Sequence, residues 1–391
     1  MKHSIFAPLW AVMRRECLRL ARRPLYWFCM VGAPLLCYLL MTTLMAQGLP
    51  TEMPLGMVDL DRTATTRMLT RNLNAFQQTR IVAQYANVSD ARQAMQRGEI
   101  YGFYYIPQGT TRRLQRQERP TVSFYCNYAY LIAGSLLFRD MKTMSELASG
   151  AAAQTVLLAH GATGRQAQAL LQPIVVQANP IGNPWLNYNV YLTNILLPGL
   201  LMVMIFLITV YAIGTEIKEN TAREWLLTAR RSVITALTGK LLPHTAVFFV
   251  MGVAYNVLLY GVMRFPCHSG MGSMIGSTLA FIIASQGFGA FVAGLVPSLR
   301  LAMSVASLWG VLSFSLCGMS FPVMAMHPGL QGLTLLFPLR YYYLIYVNCA
   351  LDGYSCANIW PAFAALAVFA LLPLTVVRPM RRMLLTLRYV P

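Results

Sequence analysis

Hydrophobic and polar positions along this chain fall into four patterns. The first is a nearly unbroken apolar run, seen at about 25–46 and again at about 186–213, 234–263, 274–296, 301–320 and 358–377. About 20 such residues suffice to cross a bilayer core, so six transmembrane helices are predicted. The second is "SIFAPLWAVMRRECLRLARR" at 4–23, where Phe6, Leu9, Trp10, Met13, Cys17 and Leu20 recur at helical spacing and Arg15, Arg19 and Arg22 stand off that stripe. A basic amphipathic helix with tryptophan on its apolar side suits a membrane interface.

The third pattern, at 48–184, is that of a soluble α/β fold. "MPLGMVDLD", "RIVAQYA", "YGFYYIP" and "TVSFYCNYAY" read as strands. Between them "TATTRMLTRNLNAF" and "SDARQAMQRG" read as helices, the latter with Ser89 or Asp90 as N-cap and Gly98 as its stop. A long helix is expected from Gly134 to His160, within a stalk spanning 134–172. The fourth pattern, at 321–350, is apolar but broken by Pro322, Pro328, Gly329, Gly332 and Pro338, which predicts short or re-entrant helices. The fold class is thus an α-helical polytopic membrane protein with an inserted α/β domain. Its segments are an interface helix (1–24), a first span (25–47), the insert (48–184) and a five-helix membrane domain (185–391).

Composition supports this partition. Hydrophobic residues are 57% of the chain and charged residues 11%, against about 25% charged in soluble domains. The formal charge of +18 is met by anionic membrane lipids rather than nucleic acid. Basic residues gather in the N-terminus, the 214–240 loop and the tail "RPMRRMLLTLRYVP". The positive-inside rule therefore puts both termini and that loop in the cytoplasm, with 48–184 and 321–357 outside. The first apolar run is too long for a cleavable leader and is read as a retained span. The eight cysteines form no CxxC pair; Cys349 and Cys356 could bridge in an oxidising compartment, but free thiols are the expectation.

Catalytic signatures are missing. "ITALTGKL" has Ile234 where a phosphate loop needs its first glycine and Leu241 where it needs Ser or Thr. The five histidines lack metal-site spacing, and no GxSxG elbow occurs. The chain is expected to bind no cofactor or metal. The predicted span interiors carry essentially no acid, which disfavours an ion-coupled carrier. Their polar residues Asn189, Asn194, Asn256, Gln286, Ser304, Ser307, Ser313 and Ser315 are expected to bond between helices. One stretch stands out: "EIKENTAREWLLTARR", residues 216–231, is densely charged between two apolar blocks. As one helix it would pair Glu219 with Arg223 and group Trp225, Leu226 and Leu227. Its residues alone leave open a solvated loop with ordinary ion pairs or a docking helix.

Three stretches resemble permease subunits of ABC transporters of the type-2 exporter class. "EIKENTAREWLLTARRSVITALTGKLLP" is similar to that family's coupling segment through Glu216, Thr221, Glu224, Leu226, Leu227, Thr228, Gly239, Lys240 and Pro243. "GMSFPVMAMHPGLQGLTLLFPLRYYYLIYVNCALDG" is similar to its outer re-entrant region through Phe321, Pro322, Leu330, Pro338, Leu339, Arg340, Tyr341 and Gly353. "RRECLRLARRPLYWF" is similar to its connector helix. Asn220 stands where a glycine is usual, and the left-handed geometry tolerated by Asn would preserve the turn. Ala229 stands where a proline is common, which predicts a longer helix before the next span.

The resemblance implies a permease dimer, homomeric or heteromeric, beside a separate ABC ATPase that holds ATP and Mg²⁺. It also implies a multi-pass protein of the bacterial inner membrane. The implied ATPase-coupling residues are Glu216, Lys218, Glu219, Thr221, Arg223, Glu224, Trp225, Leu227, Thr228 and Arg230. Among these, Glu216 and Glu224 would be charged anchors, and Trp225 and Leu227 packing contacts. Phe321, Pro322, Pro338, Arg340 and Tyr341 would form an outer gate. The large insert resembles that of exporters that work with a periplasmic adaptor and an outer-membrane channel. The weakly polar spans would suit a lipophilic substrate, and polysaccharide or lipid export by this class stays open. A membrane receptor or assembly platform and a secondary carrier are the alternative readings.

Overall fold

The computed structural model describes residues 6–386. Ser4 and Ile5 of the expected first helix and Arg388 of the basic tail lie outside the described residues. The chain divides into two compact units, Gln47–Asn179 and a membrane unit made from the residues up to Ala46 together with Pro180 onward.

In the membrane unit, an N-terminal helix Phe6–Arg22 ends where Arg23 turns extended ahead of Pro24, since the residue before proline avoids helical geometry. Six helices are long and apolar enough to span a membrane: Pro24–Leu44, Tyr188–Lys218, Val233–Val262, Met271–Leu295, Leu299–Leu316 and Trp360–Thr386, here spans 1 to 6. Span 2 packs against spans 1, 4 and 5, and span 4 also against spans 3 and 6. These two helices form the interior, with 67% and 72% of their most apolar windows buried, against 17% for span 1 and 22% for span 5. The outer spans therefore turn apolar faces outward, as a lipid solvent permits.

Some of the expected polar contacts do link helices. Asn194 on span 2 accepts from the Tyr260 and Tyr255 hydroxyls of span 3 at 3.2 and 3.4 Å. Asn256 donates to Thr278 of span 4 at 3.0 Å, and Thr278 lies 3.3 Å from the Tyr342 hydroxyl. Gln286 accepts from Thr245 at 2.7 Å. Ser304 and Ser313 instead donate back to carbonyls of their own helix, and Asn189 pairs with Thr193 one turn on. The broken 321–350 region forms a 3₁₀ turn Val323–Ala325, helices Pro328–Thr334 and Pro338–Ile345, and a π-helical turn Tyr346–Leu351.

The inserted unit is a four-stranded sheet in the order β2-β1-β3-β4, with β1 Met53–Asp59, β2 Thr79–Gln84, β3 Gly102–Ile106 and β4 Ser123–Cys126. The first three strands are parallel, joined by helices Ala64–Leu73 and Val88–Gln96; β4 is antiparallel to β3. Strand alternation splits the core. Leu55, Met57, Tyr104 and Ile106 meet Leu73 and the long helix Leu131–Ala159, while Val58 and Phe103 meet Ala91 and Ala94. The helix expected to be capped by Ser89 or Asp90 begins earlier, capped by Asn87, whose side chain accepts from the Asp90 N–H at 2.8 Å. Three good capping residues fall within four positions there, and propensity alone does not rank them.

Candidate functional site

Span 2 does not stop where its hydropathy falls. It stays helical to Lys218 and carries Glu216 into the protein interior, fully buried. This corrects two expectations, that the span ends near 213 and that Glu216 belongs to a surface helix. A buried carboxylate is tolerated only when paired and hydrogen-bonded, and Glu216 has an unusual number of partners. Arg15 donates to both its oxygens at 2.8 and 2.9 Å, Lys240 donates at 2.8 Å, Thr221 at 2.5 Å, and Arg19 also bonds it.

The network extends from that carboxylate. Lys240 on span 3 also donates to Glu16 at 2.7 Å, and the other Glu16 oxygen lies 3.1 Å from His244 Nε2. Arg19 and Arg23 bind Glu219 at 3.0 and 2.7 Å. Three chain segments are joined, the N-terminal helix meeting the end of span 2 and the start of span 3 from about 200 residues away. Burial would raise the Glu16 carboxyl, but the Lys240 charge and the His244 and Lys240 hydrogen bonds outweigh it and hold it at about 2. Burial likewise opposes the charge on Arg15, yet its bonds to Glu216 leave it above its ordinary value.

Local sequence explains how these groups meet. In the N-terminal helix Val12, Glu16 and Leu20 share the buried face by their i, i+4 spacing, with Arg15 and Arg19 in the adjoining row, and the extended Arg23 follows just past the helix end. Phe6 and Trp10 remain 81% and 67% exposed, leaving the amphipathic stripe for another environment. On span 3, a Cβ on Gly239 would sit 2.8 Å from Val12 Cβ and 3.2 Å from the Leu9 carbonyl. Glycine there lets the N-terminal helix approach, and the next residue, Lys240, reaches the carboxylates. Lys240 also stands 4.9 Å from the centroid of the buried Trp225 ring, a cation–π contact.

After span 2 the chain reverses at Asn220, left-handed at φ 57°. The Thr221 N–H donates to the Glu216 carbonyl and the Asn220 N–H to that of Ile217, a Schellman ending with Asn in the glycine place. The expected tolerance of Asn220 for that geometry is met. A short helix Ala222–Thr228 follows and closes the same way, with Arg230 left-handed and the Arg231 N–H on the Leu226 carbonyl. It is not lengthened by Ala229, which serves as its C-cap; hydrogen bonding of the next two amides ends it without proline. The expected Glu219–Arg223 pair is also absent, because Glu219 lies before the reversal and faces Arg19 and Arg23.

The sixteen-residue stretch is therefore divided. Glu216, Thr221 and Trp225 face inward; Trp225 is 0% exposed, so it is not a surface contact in this state. Arg223, Glu224 and Leu227 are exposed, Leu227 at 60%, and Lys218 and Arg230 are exposed on the flanking turns. The Thr228 hydroxyl donates to the Glu224 carbonyl at 2.9 Å. In the broken region, Phe321 and Pro322 are exposed, Pro338 is buried at a helix start, and Tyr341 donates to the Leu335 carbonyl at 2.9 Å. Arg340 is half-buried, and its Nε has no hydrogen-bond partner.

Sequence reasoning missed Arg15, Glu16, Arg19, Arg23 and His244 as parts of this site, and it named Lys240 only as a matching position of the coupling segment. The signal was present: Glu16 is the single acid of the N-terminal segment, spaced with Val12 and Leu20, and Lys240 interrupts an apolar run. A family model described as "ABC-2 family transporter protein" matches residues 24–377. Among curated proteins, no sequence matches this chain.

Proposed function

We propose a function on the premise that this chain belongs to the ABC-2 transporter family and is a multi-pass membrane permease, partnered by an ABC ATPase and a second permease. Within that frame the transport we infer is export. A separate ATPase binds ATP and Mg²⁺, and its closure pushes from the cytoplasm on the short helix Ala222–Thr228. Basic residues at the span ends support placing both termini and this helix in the cytoplasm of an inner-membrane protein, with the α/β unit outside.

The observation that carries the coupling is the buried Glu216 junction. The short helix is separated from Glu216 only by a tight turn, and that carboxylate is gripped by Arg15, Arg19 and Lys240. Force on the short helix thus reaches the N-terminal helix and spans 2 and 3 together, through contiguous hydrogen bonds. The ATPase would meet the exposed Arg223, Glu224 and Leu227, with Leu227 as apolar anchor and the charges setting register. Trp225 and Glu216 act behind that surface.

At the far side, Phe321, Pro322, Pro338, Arg340 and Tyr341 would shape the outer gate, and the α/β unit would offer a periplasmic adaptor its docking surface, leading to an outer-membrane channel. A lipophilic substrate fits the weakly polar spans. The coupling is tested with Leu227→Asp combined with Glu224→Lys. We expect ATPase co-purification to fall by about tenfold or more, as loss of an interface anchor implies, with thermal melting unchanged. Unaltered ATPase association and transport would overturn the assignment.

A further inference from the structure

A second cluster of reactive side chains lies away from the Glu216 junction. Cys349 and Cys356 are free thiols whose sulfurs lie 3.2 Å apart. Cys349 is fully buried on the π-helical turn Tyr346–Leu351, and Cys356 is half-buried just before span 6. The segment between them folds back on its own helix. The Asp352 N–H donates to the Val347 carbonyl at 3.0 Å and the Tyr354 N–H to the Asn348 carbonyl at 2.9 Å, with Gly353 left-handed at φ 73°. The loop after span 3 is fastened here as well, since His268 and Ser269 donate their N–H groups to the carbonyls of Ala350 and Cys349 at 3.0 and 3.1 Å. That loop carries a third, half-buried thiol, Cys267, near enough to Cys349 and Cys356 to interact with both electrostatically, but the 3.2 Å sulfur pair is Cys349 with Cys356. Among the described residues no His, Cys, Asp and Glu group could hold a metal, so the pair is not explained as a ligand set.

We propose that Cys349 and Cys356 are joined by a disulfide in the mature protein, stapling the end of the re-entrant region to the start of span 6. It rests on the reading above that puts 321–357 outside the cytoplasm, where thiols meet an oxidising milieu. The sulfurs need only close from 3.2 Å to the ~2.05 Å of a disulfide.

The step balances as thiol–disulfide exchange. The Cys356 thiolate attacks the disulfide of an extracytoplasmic dithiol oxidant, giving a mixed disulfide and one oxidant thiol. Cys349 then attacks the Cys356 sulfur and releases the second oxidant thiol. Two thiols lose two electrons and two protons, and the oxidant becomes a dithiol. Burial pushes the Cys349 thiol up to about 12, so the more accessible Cys356 is the sulfur that meets the oxidant first.

The staple has a structural consequence for the same corner of the molecule. It would close the 349–356 segment covalently while the 263–270 loop stays attached by hydrogen bonds alone. Any outward motion of the Pro338–Ile345 helix would then carry the first residues of span 6 with it.

Thiol counting decides the bond. Full-length protein, trapped in acid and denatured without reductant, is alkylated with a polyethylene-glycol maleimide. Six of the eight cysteines should react, and all eight after reduction. In a Cys349→Ser, Cys356→Ser variant, adduct number should no longer respond to reductant. Eight adducts without reductant overturn the disulfide. The sidedness is scored separately with Tyr354→Cys in that double-serine background, since Tyr354 is 57% exposed. A membrane-impermeant maleimide applied to spheroplasts should label it. An unlabelled Tyr354→Cys overturns the placement whatever the thiol count, and a labelled one with eight free thiols in the parent overturns the disulfide alone.

Discussion

The two ends of span 2 are held by opposite chemistries. At one end Asn194 is gripped by neutral groups, the hydroxyls of Tyr255 and Tyr260. At the other, 22 residues or about 33 Å further along the helix, Glu216 is gripped by Arg15, Arg19 and Lys240. Neutral partners lose modestly when one is missing, because the desolvated group left behind is a dipole. Ionic partners lose heavily, because the group left behind is a buried charge. The amide end can thus rearrange at small cost, whereas the carboxylate end must move as one piece. Under the proposed coupling, the carboxylate end would receive the force and the amide end would open.

The comparison breaks most sharply at Glu216. Glu216→Ala leaves Arg15, Arg19 and Lys240 short of their shared anion, and should cost about 3–5 kcal/mol, the usual penalty for orphaning a buried charge. Thermal melting and the folded yield of detergent-solubilised protein measure it. Asn194→Leu at the other end should cost about 1–3 kcal/mol by stranding the Tyr260 hydroxyl, while the Tyr255 hydroxyl keeps the residue-194 carbonyl at 3.3 Å, visible as a smaller melting shift.

Acid separates the ends more selectively. The Glu16 carboxyl sits at about 2 in the folded chain against an ordinary 4.5. Its folded value is depressed, so its contribution is complete above about 4.5 and lost as pH falls through that range toward 2. Glu16→Gln should flatten this part of the melting-versus-pH curve, and Asn194→Leu should not. The smallest effect belongs to the turn. Asn220→Gly should change stability by less than about 1 kcal/mol, whereas Asn220→Val should cost about 1–2 kcal/mol, since β-branching is penalised in the left-handed region.

These contrasts also mark what the sequence could disclose. Apolar runs located all six spans, and short apolar runs bounded by turn residues located the four strands, because each signal lies within one local window. The left-handed turn at Asn220 was legible only through the glycine usual at that place in the family, together with the tolerance of Asn for that geometry. The burial of Glu216 was not. Hydropathy ends a span at its first charges, and only partners some 200 residues away allow the buried helix to continue past them. The burial of Trp225 is hidden for the same reason, since the surface that covers it comes from elsewhere in the fold. The Glu219–Arg223 pairing failed because a helix was extended across a reversal that Asn220 itself signals.

The long sequence separation of the junction sets an order of events during synthesis. Arg15 and Glu16 leave the ribosome 201 and 224 residues before their partners Glu216 and Lys240. At roughly 5–20 residues per second, that is an interval of about 10–45 seconds, in which the α/β unit and two spans are also made. Until Glu216 and Glu219 emerge, Arg15, Arg19 and Arg23 lack their carboxylate partners, and the lipid headgroup layer is the nearest place that can accept them. A nascent chain released before residue 240 would still lack both Lys240 and His244, and with them every hydrogen-bond partner of the Glu16 carboxylate.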